Sequence, residues 1–234
     1  PDGLEFLKFG KADTDFISIL FCDIRSFTSL SEKMSPQELV DFLNDFFKRM
    51  TEPISNNKGF VDKFIGDGVM ALFSIPEEPN AADALNSVLA AISMQQQIDS
   101  FNKDNKMAKE KRLRIGIGIH SGPVIIGTVG SEERMESTVT GDTVNLASRL
   151  EGLTKFYRSK ILISQSTFEF IDSESSFEFR ELDLVKVKGK DEPVTIFEVC
   201  NSDPERIREQ KLGSREKFAE ALKDYRSQKW TAAM

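Results

Sequence analysis

Histidine and cysteine are almost missing from this chain. Among 234 residues there is one His, His120, and there are two Cys, Cys22 and Cys200. A single histidine excludes a His-rich zinc site and a two-histidine acid/base pair within one chain. Two cysteines cannot make a zinc ribbon or a disulfide scaffold, and one bridge would add little to a core of this size. Long hydrophobic runs are missing too. The longest uncharged stretch, Ile115 to Ser131, is broken by glycines, Pro123 and His120, unlike the roughly 20-residue apolar segment that crosses a bilayer. No signal peptide is visible. The chain opens on Pro1 and not Met, so it is read as cut from something longer, and the lack of a span says nothing about the parent.

Carboxylates, by contrast, are plentiful. There are 38 Asp+Glu against 31 Lys+Arg, a net charge of −7 and a pI near 5.0. That balance speaks against a nucleic-acid module, which carries a basic face. Chemistry is therefore expected to run on Asp and Glu, with a metal. At 39% hydrophobic and 29% charged residues the composition is globular, and a chain this long buries about 70–75% of its unfolded surface.

The pattern along the chain predicts an α+β fold with helices against a mostly antiparallel sheet. Phe16 to Phe21 is an apolar, β-branched run, predicted as a buried strand. Ser35-Pro36 supplies an N-cap and a first-turn proline. Leu39, Phe42, Leu43, Phe46, Phe47 and Met50 then follow at helical spacing. Phe60 to Ile65 and Val69 to Ser74 flank Gly66-Asp67-Gly68, a hairpin signal. A helix is expected from Asn80 to Phe101, then a strand from Leu113 to Ile119. A turn at Ser121-Gly122-Pro123 leads to a further strand, Val124 to Val129. A charged loop, Ser131 to Glu136, precedes a helix from Asp142 to Leu153. A strand at Lys160 to Ser164, a short helix to Ile171 and two strands flanking Lys188-Gly189-Lys190 complete the order. From Asp203 onward the chain turns charged and helical, predicted as a frayed or docked extension.

Three places stand out for chemistry. Asp23 ends the first strand and leads into a small polar turn, Arg25 to Thr28. By itself an Asp there is a turn cap. Asp67 sits in a turn where Asp-Gly is expected on backbone grounds. Taken together, strand and hairpin adjacent in one sheet bring the two carboxylates to one edge. Two convergent carboxylates with substrate phosphates are how Mg²⁺ is held, and the turn after Asp23 offers N–H groups to phosphate oxygens. The third place is Val139 to Leu150. Asn145 and Arg149 are four apart and share a helix face. They make either a solvated polar stripe or a phosphate clamp, to which Arg brings a fixed charge and directed donors.

These motifs carry a family resemblance. Phe-Cys-Asp23-Ile-Arg-Ser-Phe-Thr-Ser-Leu, Lys63-Phe-Ile-Gly-Asp67-Gly, Ile-Gly-Ile-His120-Ser-Gly and Gly-Asp-Thr-Val-Asn145-Leu-Ala-Ser-Arg149-Leu-Glu together resemble a class III nucleotidyl cyclase catalytic domain over residues 15 to 200. The resemblance implies a ferredoxin-like, palm-type βαββαβ core with extra C-terminal strands and helix, working as a head-to-tail homodimer. It divides the chain into a linker from an upstream domain (1–15), the catalytic domain (16–200) and a helical extension (201–234).

It also implies that Asp23, Asp67 and the Ile24 carbonyl bind two Mg²⁺ or Mn²⁺ ions, and that Phe27 and Thr28 lie in the triphosphate-holding turn. Lys63, Thr138, Asn145, Arg149 and Lys188 would come from the other subunit, with Arg134 as a further phosphate contact. Asn145 orients the ribose, Arg149 stabilises the α-phosphate and Lys188 grips the terminal phosphates. The 3′-hydroxyl of ATP attacks the α-phosphorus in line and pyrophosphate leaves, with no enzyme nucleophile. Lys63 favours ATP, because adenine N1 accepts a hydrogen bond whereas guanine N1 carries a hydrogen. Thr138 stands where the familiar adenylyl pattern has Asp, which points to a bicarbonate-responsive branch. An upstream sensor domain is expected, and a cytoplasmic catalytic domain whose full-length protein is open to membrane anchoring. Two other readings stay open: a cyclase acting on GTP, diguanylate cyclases included, and a catalytically dead regulatory or dimerisation module. Cys22 is read as a packed thiol and His120 as a strand-end residue.

Overall fold

The computed structural model describes residues 12–74, 80–105, 112–131, 134–171, 176–186 and 193–231, with backbone alone at 12, 80, 128–131 and 134–138. The apolar run at Phe16 to Phe21 is the middle of a longer strand, β1 (Ala12–Ile24). Side-chain alternation sends Ile17, Ile19 and Phe21 to one face and Leu20, Cys22 and Ile24 to the other. After a short α1 (Phe27–Ser31) comes α2 (Pro36–Asn56). It starts where the sequence predicts. Ser35 Oγ accepts from the Glu38 amide at 3.4 Å, and Glu38 Oε2 accepts from the Ser35 amide at 2.8 Å. That reciprocal box, with Pro36 behind it, satisfies donors a helix start leaves orphaned.

The remaining elements are β2 (Phe60–Ile65), β3 (Gly68–Phe73), α3 (Asn80–Asp104), β4 (Ile115–Ser131), β5 (Arg134–Thr140), α4 (Asp142–Tyr157), β6 (Ile161–Ser164), α5 (Gln165–Glu169), β7 (Phe179–Val185), β8 (Val194–Val199), α6 (Glu205–Gly213) and α7 (Arg215–Arg226). The sheet runs β2-β3-β1-β4-β6-β8-β7, with β5 on β4. Its first four strands pair antiparallel throughout. With α2 and α3 they form the expected ferredoxin-like βαββαβ core, to which β6 adds in parallel.

Helices cover both faces. Met50 of α2 and Val88 of α3 pack with Leu20, Ala71 and Ile117 on one side. On the other, α4 packs Ala147 against Ile17 and Leu72, and Leu146 and Leu150 against Leu162 and Ile196. The seat for α4 is bare backbone. A Cβ at Gly118 would lie 2.6 Å from the Ala147 carbonyl oxygen and 2.7 Å from the Glu151 Cα, and one at Gly116 would collide with Arg25 and Thr154 side chains.

Two expectations are corrected. The turn at Ser121-Gly122-Pro123 does not exist, because β4 runs unbroken from Ile115 to Ser131 and Pro123 pairs with Phe16. The outer edge of β4 pairs with β6 at 117–119 and with β5 at 125–131. Pro123 sits in the gap between them, where its missing N–H forfeits no ladder bond. His120 is consequently mid-strand. It is buried, with Nδ1 2.7 Å from Ser164 Oγ. The second correction concerns Ser131 to Glu136, read as a loop, of which Arg134 to Glu136 opens β5. Charge is ordinary on an outlying strand.

Cys22 and Cys200 are buried free thiols, and burial pushes the Cys22 thiol well above its usual range. The C-terminal extension is docked. Lys211 of α6 and Arg180 of β7 both bind Glu198 of β8, Arg226 of α7 meets Glu181 at 2.7 Å, and Arg180 lies 4.6 Å over the Phe218 ring. No helix among the described residues is long and apolar enough to cross a membrane.

Candidate active site

Asp23 is the penultimate residue of β1 and pairs with Gly116 across the sheet. Its parity with Ile17, Ile19 and Phe21 places it on the α4 face. Asp67 occupies the two-residue turn that joins Ile65 to Gly68. Gly66 takes φ +62 there, the left-handed backbone that a tight hairpin demands at its first turn position. Gly68 has little room as well: a Cβ would come within 3.1 Å of the Ile65 carbonyl and 3.2 Å of the Cys22 carbonyl, so that backbone would have to give by a few tenths of an ångström. The hairpin thus lies hard against β1, and the two carboxyls reach hydrogen-bond contact.

Their electrostatics are unbalanced. Burial, then the hydrogen bond and charge of Asp23, push the Asp67 carboxyl up to about 6, although the Asp67 and Ile24 amides pull the other way. One of its oxygens, Oδ2, is buried with no hydrogen-bond partner. A third carboxyl joins them from above. Burial is the main reason Glu151 of α4 is pushed up to about 7; nearby Arg25 opposes, and the charges of Asp23 and Asp67 add to the rise. Arg25 Nη1 stands 3.1 Å from Glu151 Oε1, while Arg25 Nη2 is buried without a partner. Three carboxyls thus crowd together, and Arg25 is ion-paired with one of them, Glu151. A compact cation with hard-oxygen preference is what relieves such a cluster.

A stability consequence follows for the metal-free chain. Asp67 holds its proton more tightly folded than unfolded, so stability is lost as pH rises from about 4 towards about 6. Asp67→Asn removes that cost. Because solvent reaches the carboxyl, the gain at neutral pH is about 1 kcal/mol, or ~2–4 °C in Tm. Thermal melts in EDTA should show the gain shrinking towards pH 4; a pH-independent gain would mean the repulsion is screened out.

The turn after Asp23 is shaped for acceptors. Ser26 adopts φ 59, ψ 34 and precedes α1 without a side-chain cap. The first N–H groups of a helix have no partner within it, which here include those of Phe27 and Thr28. Phe27 is half-buried and packs on the main core, whereas Thr28 is exposed.

The Asn145/Arg149 pair faces elsewhere. Residues Thr143, Leu146, Ala147, Leu150 and Thr154 are the buried stripe of α4. Asn145, Ser148, Arg149, Gly152 and Phe156 form the opposite one. Asn145 is exposed, and Arg149 is half-buried with Nη1 shielded from water and unpartnered. One chain therefore directs its Asn145/Arg149 stripe away from its own carboxyls beneath the helix. Lys63 lies on the same hairpin as Asp67, opposite Met70, after a register shift between Val61 and Lys63. Its Nζ is 3.3 Å from Asp62 Oδ2. On β5, Thr138 pairs with Gly127 and Arg134 with Ser131, but their side chains are outside the described set. Lys188 lies outside the described residues altogether.

Arg25 and Glu151 were not anticipated. Each stands two positions beyond a residue that was, Asp23 and Arg149, yet nothing local marks the ion pair that joins them across the chain.

Comparison with known proteins shows the family. Residues 10–199 match the family model described as "Adenylate and Guanylate cyclase catalytic domain". The chain is 48% identical over 204 residues to an adenylate cyclase of Anabaena cylindrica, covering 85% of this chain and 39% of that protein. It is 44% identical over 206 residues to the terminal-differentiation-specific adenylate cyclase of Dictyostelium discoideum, covering 88% and 10%. The chain thus spans well under half the length of these relatives. Among solved structures, the adenylyl cyclase CyaB from P. aeruginosa superposes with a TM-score of 0.72 at 33% identity, over 81% of this chain and 95% of that one.

Proposed function

Because the chain belongs to the adenylate and guanylate cyclase catalytic-domain family, we propose that it converts ATP to 3′,5′-cyclic AMP and pyrophosphate in sites shared by two copies. The observation that carries the metal half is the carboxyl cluster, with Asp23 and Asp67 in hydrogen-bond contact and an Asp67 oxygen buried without a partner. The residues fit a pair of Mg²⁺ or Mn²⁺ ions held by both carboxylates and the Ile24 carbonyl. When bound, such ions supply activation of the attacking hydroxyl and neutralise phosphate charge.

The chain's own residues do the positioning. The Phe27 and Thr28 amides donate to triphosphate oxygens held in the turn, aided by Lys188 and Arg134. Asn145 orients the ribose so that its 3′-oxygen stands in line with the α-phosphorus. That oxygen loses its proton to solvent and forms the new P–O bond as the bond to pyrophosphate breaks. Arg149, with an unpartnered Nη1, stabilises the charge that grows on the α-phosphate. No nucleophile is required, which suits a chain with one buried His and two buried Cys.

Sharing between copies follows from orientation. The Asn145/Arg149 stripe turns outward while the carboxyls lie under α4, so one chain presents two half-sites. Exposed apolar side chains flank both halves: Phe64 at 49% and Ile65 at 52% beside Asp67, and Phe156 at 77% on the α4 stripe. Apolar exposure of that size is what a homodimer would cover. An upstream sensor domain and bicarbonate activation, suggested by Thr138, belong to the same reading.

The test is product identity: purified chain given ATP or GTP with Mg²⁺ or Mn²⁺, with and without bicarbonate. Cyclic AMP is the expected product, and no cyclic nucleotide under any condition would favour a dead regulatory module. Base choice is assigned to Lys63 and Thr138. Lys63→Glu with Thr138→Cys is expected to shift the ATP/GTP ratio of kcat/KM at least about tenfold towards GTP, since reversing hydrogen-bond polarity at a buried base edge is worth that much. An unchanged ratio in a folded, active variant would remove both residues from base reading.

A further inference from the structure

Outside the carboxyl cluster, the clearest feature is a pocket of about 330 Å³ between α3, the entrance to β4 and the end of α4. Its lining gathers five cations, Arg25, Arg114, Lys155, Arg158 and Lys160, against one carboxylate, Asp99. The whole chain carries a net charge of −7, so this is a local reversal of sign. Two of the five are engaged. Arg25 meets Glu151, and Lys160 donates to the Ser202 carbonyl at 2.7 Å and stands 3.7 Å from Asp99. Arg114, Lys155 and Arg158 are exposed and form no ion pair among the described residues.

Ordinary helix chemistry explains part of this. Cations gather at a helix C-terminus, where they complement its dipole, and Lys155 and Arg158 belong to the end of α4. It does not account for Arg114, Arg25 and Lys160, which arrive from three other segments. Arg158 is also odd in its backbone. It ends α4 at φ 53, ψ 31, a left-handed position that Gly or Asn fills more easily. An outlying backbone that sets a guanidinium at the rim of a basic pocket invites a functional reading.

We propose that this pocket is a second binding site, for a multivalent phosphate-type oxyanion, separate from the site built on Asp23 and Asp67. Several cations converging from different segments suit an anion with more than one charge and several acceptor oxygens. Arg's directed donors match phosphate oxygens in particular. The volume exceeds what inorganic phosphate fills and admits pyrophosphate or a small phosphorylated molecule. The pocket abuts the metal-binding turn, since the Arg25 amide donates to the Arg114 carbonyl at 2.8 Å. Nothing here depends on the cyclase reading.

The experiment is calorimetric titration of the full 234-residue chain with inorganic pyrophosphate, and separately with inorganic phosphate, in EDTA and without nucleotide. Metal-free buffer silences the Asp23/Asp67 site. Wild type and Arg149→Ala are expected to bind pyrophosphate equally, and Arg114→Glu with Arg158→Glu to bind it more than about tenfold more weakly. Lys155→Glu, also exposed, is the second variant should that pair fail to fold. Tighter binding of pyrophosphate than phosphate identifies a diphosphate-type ligand, and equal binding a single phosphate group; both support the site. No binding by wild type, unchanged binding in the reversed chains, or loss of binding in Arg149→Ala would overturn it.

Discussion

Equal amounts of Asp67→Ala and Arg149→Ala chains, each inactive alone, should recover about one quarter of wild-type turnover when mixed, if dimers pair at random. Each variant alone is expected to fall at least about a hundredfold, the usual cost of losing one preorganised charge at a reacting phosphate or carbonyl. In the mixed dimer one site inherits both lesions. The other combines the intact carboxyls of the Arg149→Ala chain with the intact clamp of the Asp67→Ala chain. Half of randomly paired dimers are mixed, and each holds one good site of two. The expectation comes from α4, whose buried stripe and Asn145/Arg149 stripe lie on opposite sides. Differently tagged chains show by co-purification whether mixed dimers form. If they form and the mixture stays silent, the site is not shared.

The second large effect is on stability. Glu198→Ala is expected to destabilise the fold by about 3 kcal/mol, lowering Tm by ~6–12 °C for a domain of this size. Glu198 is buried at 1% exposure. Its two oxygens are each 2.6 Å from a cation, Arg180 Nε and Lys211 Nζ. Lys211 also binds Asp203 at 2.7 Å. Burial pulls the Lys211 ammonium down, but its two carboxylate bonds outweigh that and raise it. Glu198, Cys200 and Asp203 lie close together, and the Lys211 ammonium binds the two carboxylates of that group. Removing Glu198 leaves Arg180 without its carboxylate and Lys211 with Asp203 alone, and loosens α6 from β8. Lys211→Met should cost less, because Glu198 keeps Arg180. A Glu198→Ala melt within about 2 °C of wild type would mean the network is screened like a surface pair.

How legible was this molecule in its sequence? Features set by neighbours were plain. Ser35 and Pro36 announce the start of α2, and Gly66-Asp67-Gly68 announces the hairpin, because both are decided within a few residues. The fold class followed from the order of such segments, and the meeting of Asp23 with Asp67 from strand adjacency. Local reading failed at Pro123, where Gly-Pro signals a turn unless one knows that β5 and β6 leave a gap beside it. It failed again at Arg134 to Glu136, whose charges resemble a loop. The Arg25–Glu151 pair was invisible for a different reason. It joins residues that meet only once α4 has been laid on β4, and no spacing in the chain encodes that crossing.

The glycines under α4 have a consequence for how the domain tolerates change. A helix seated on side chains can drift as those side chains are exchanged, since one methyl gained or lost shifts the layer by fractions of an ångström. At Gly118 there is no such layer: main chain rests on main chain. Substitutions in the surrounding core can repack around that contact without altering its depth. The height of Asn145 and Arg149 above the sheet is therefore insulated from mutation everywhere except at the seat itself, where even one added carbon has nowhere to go.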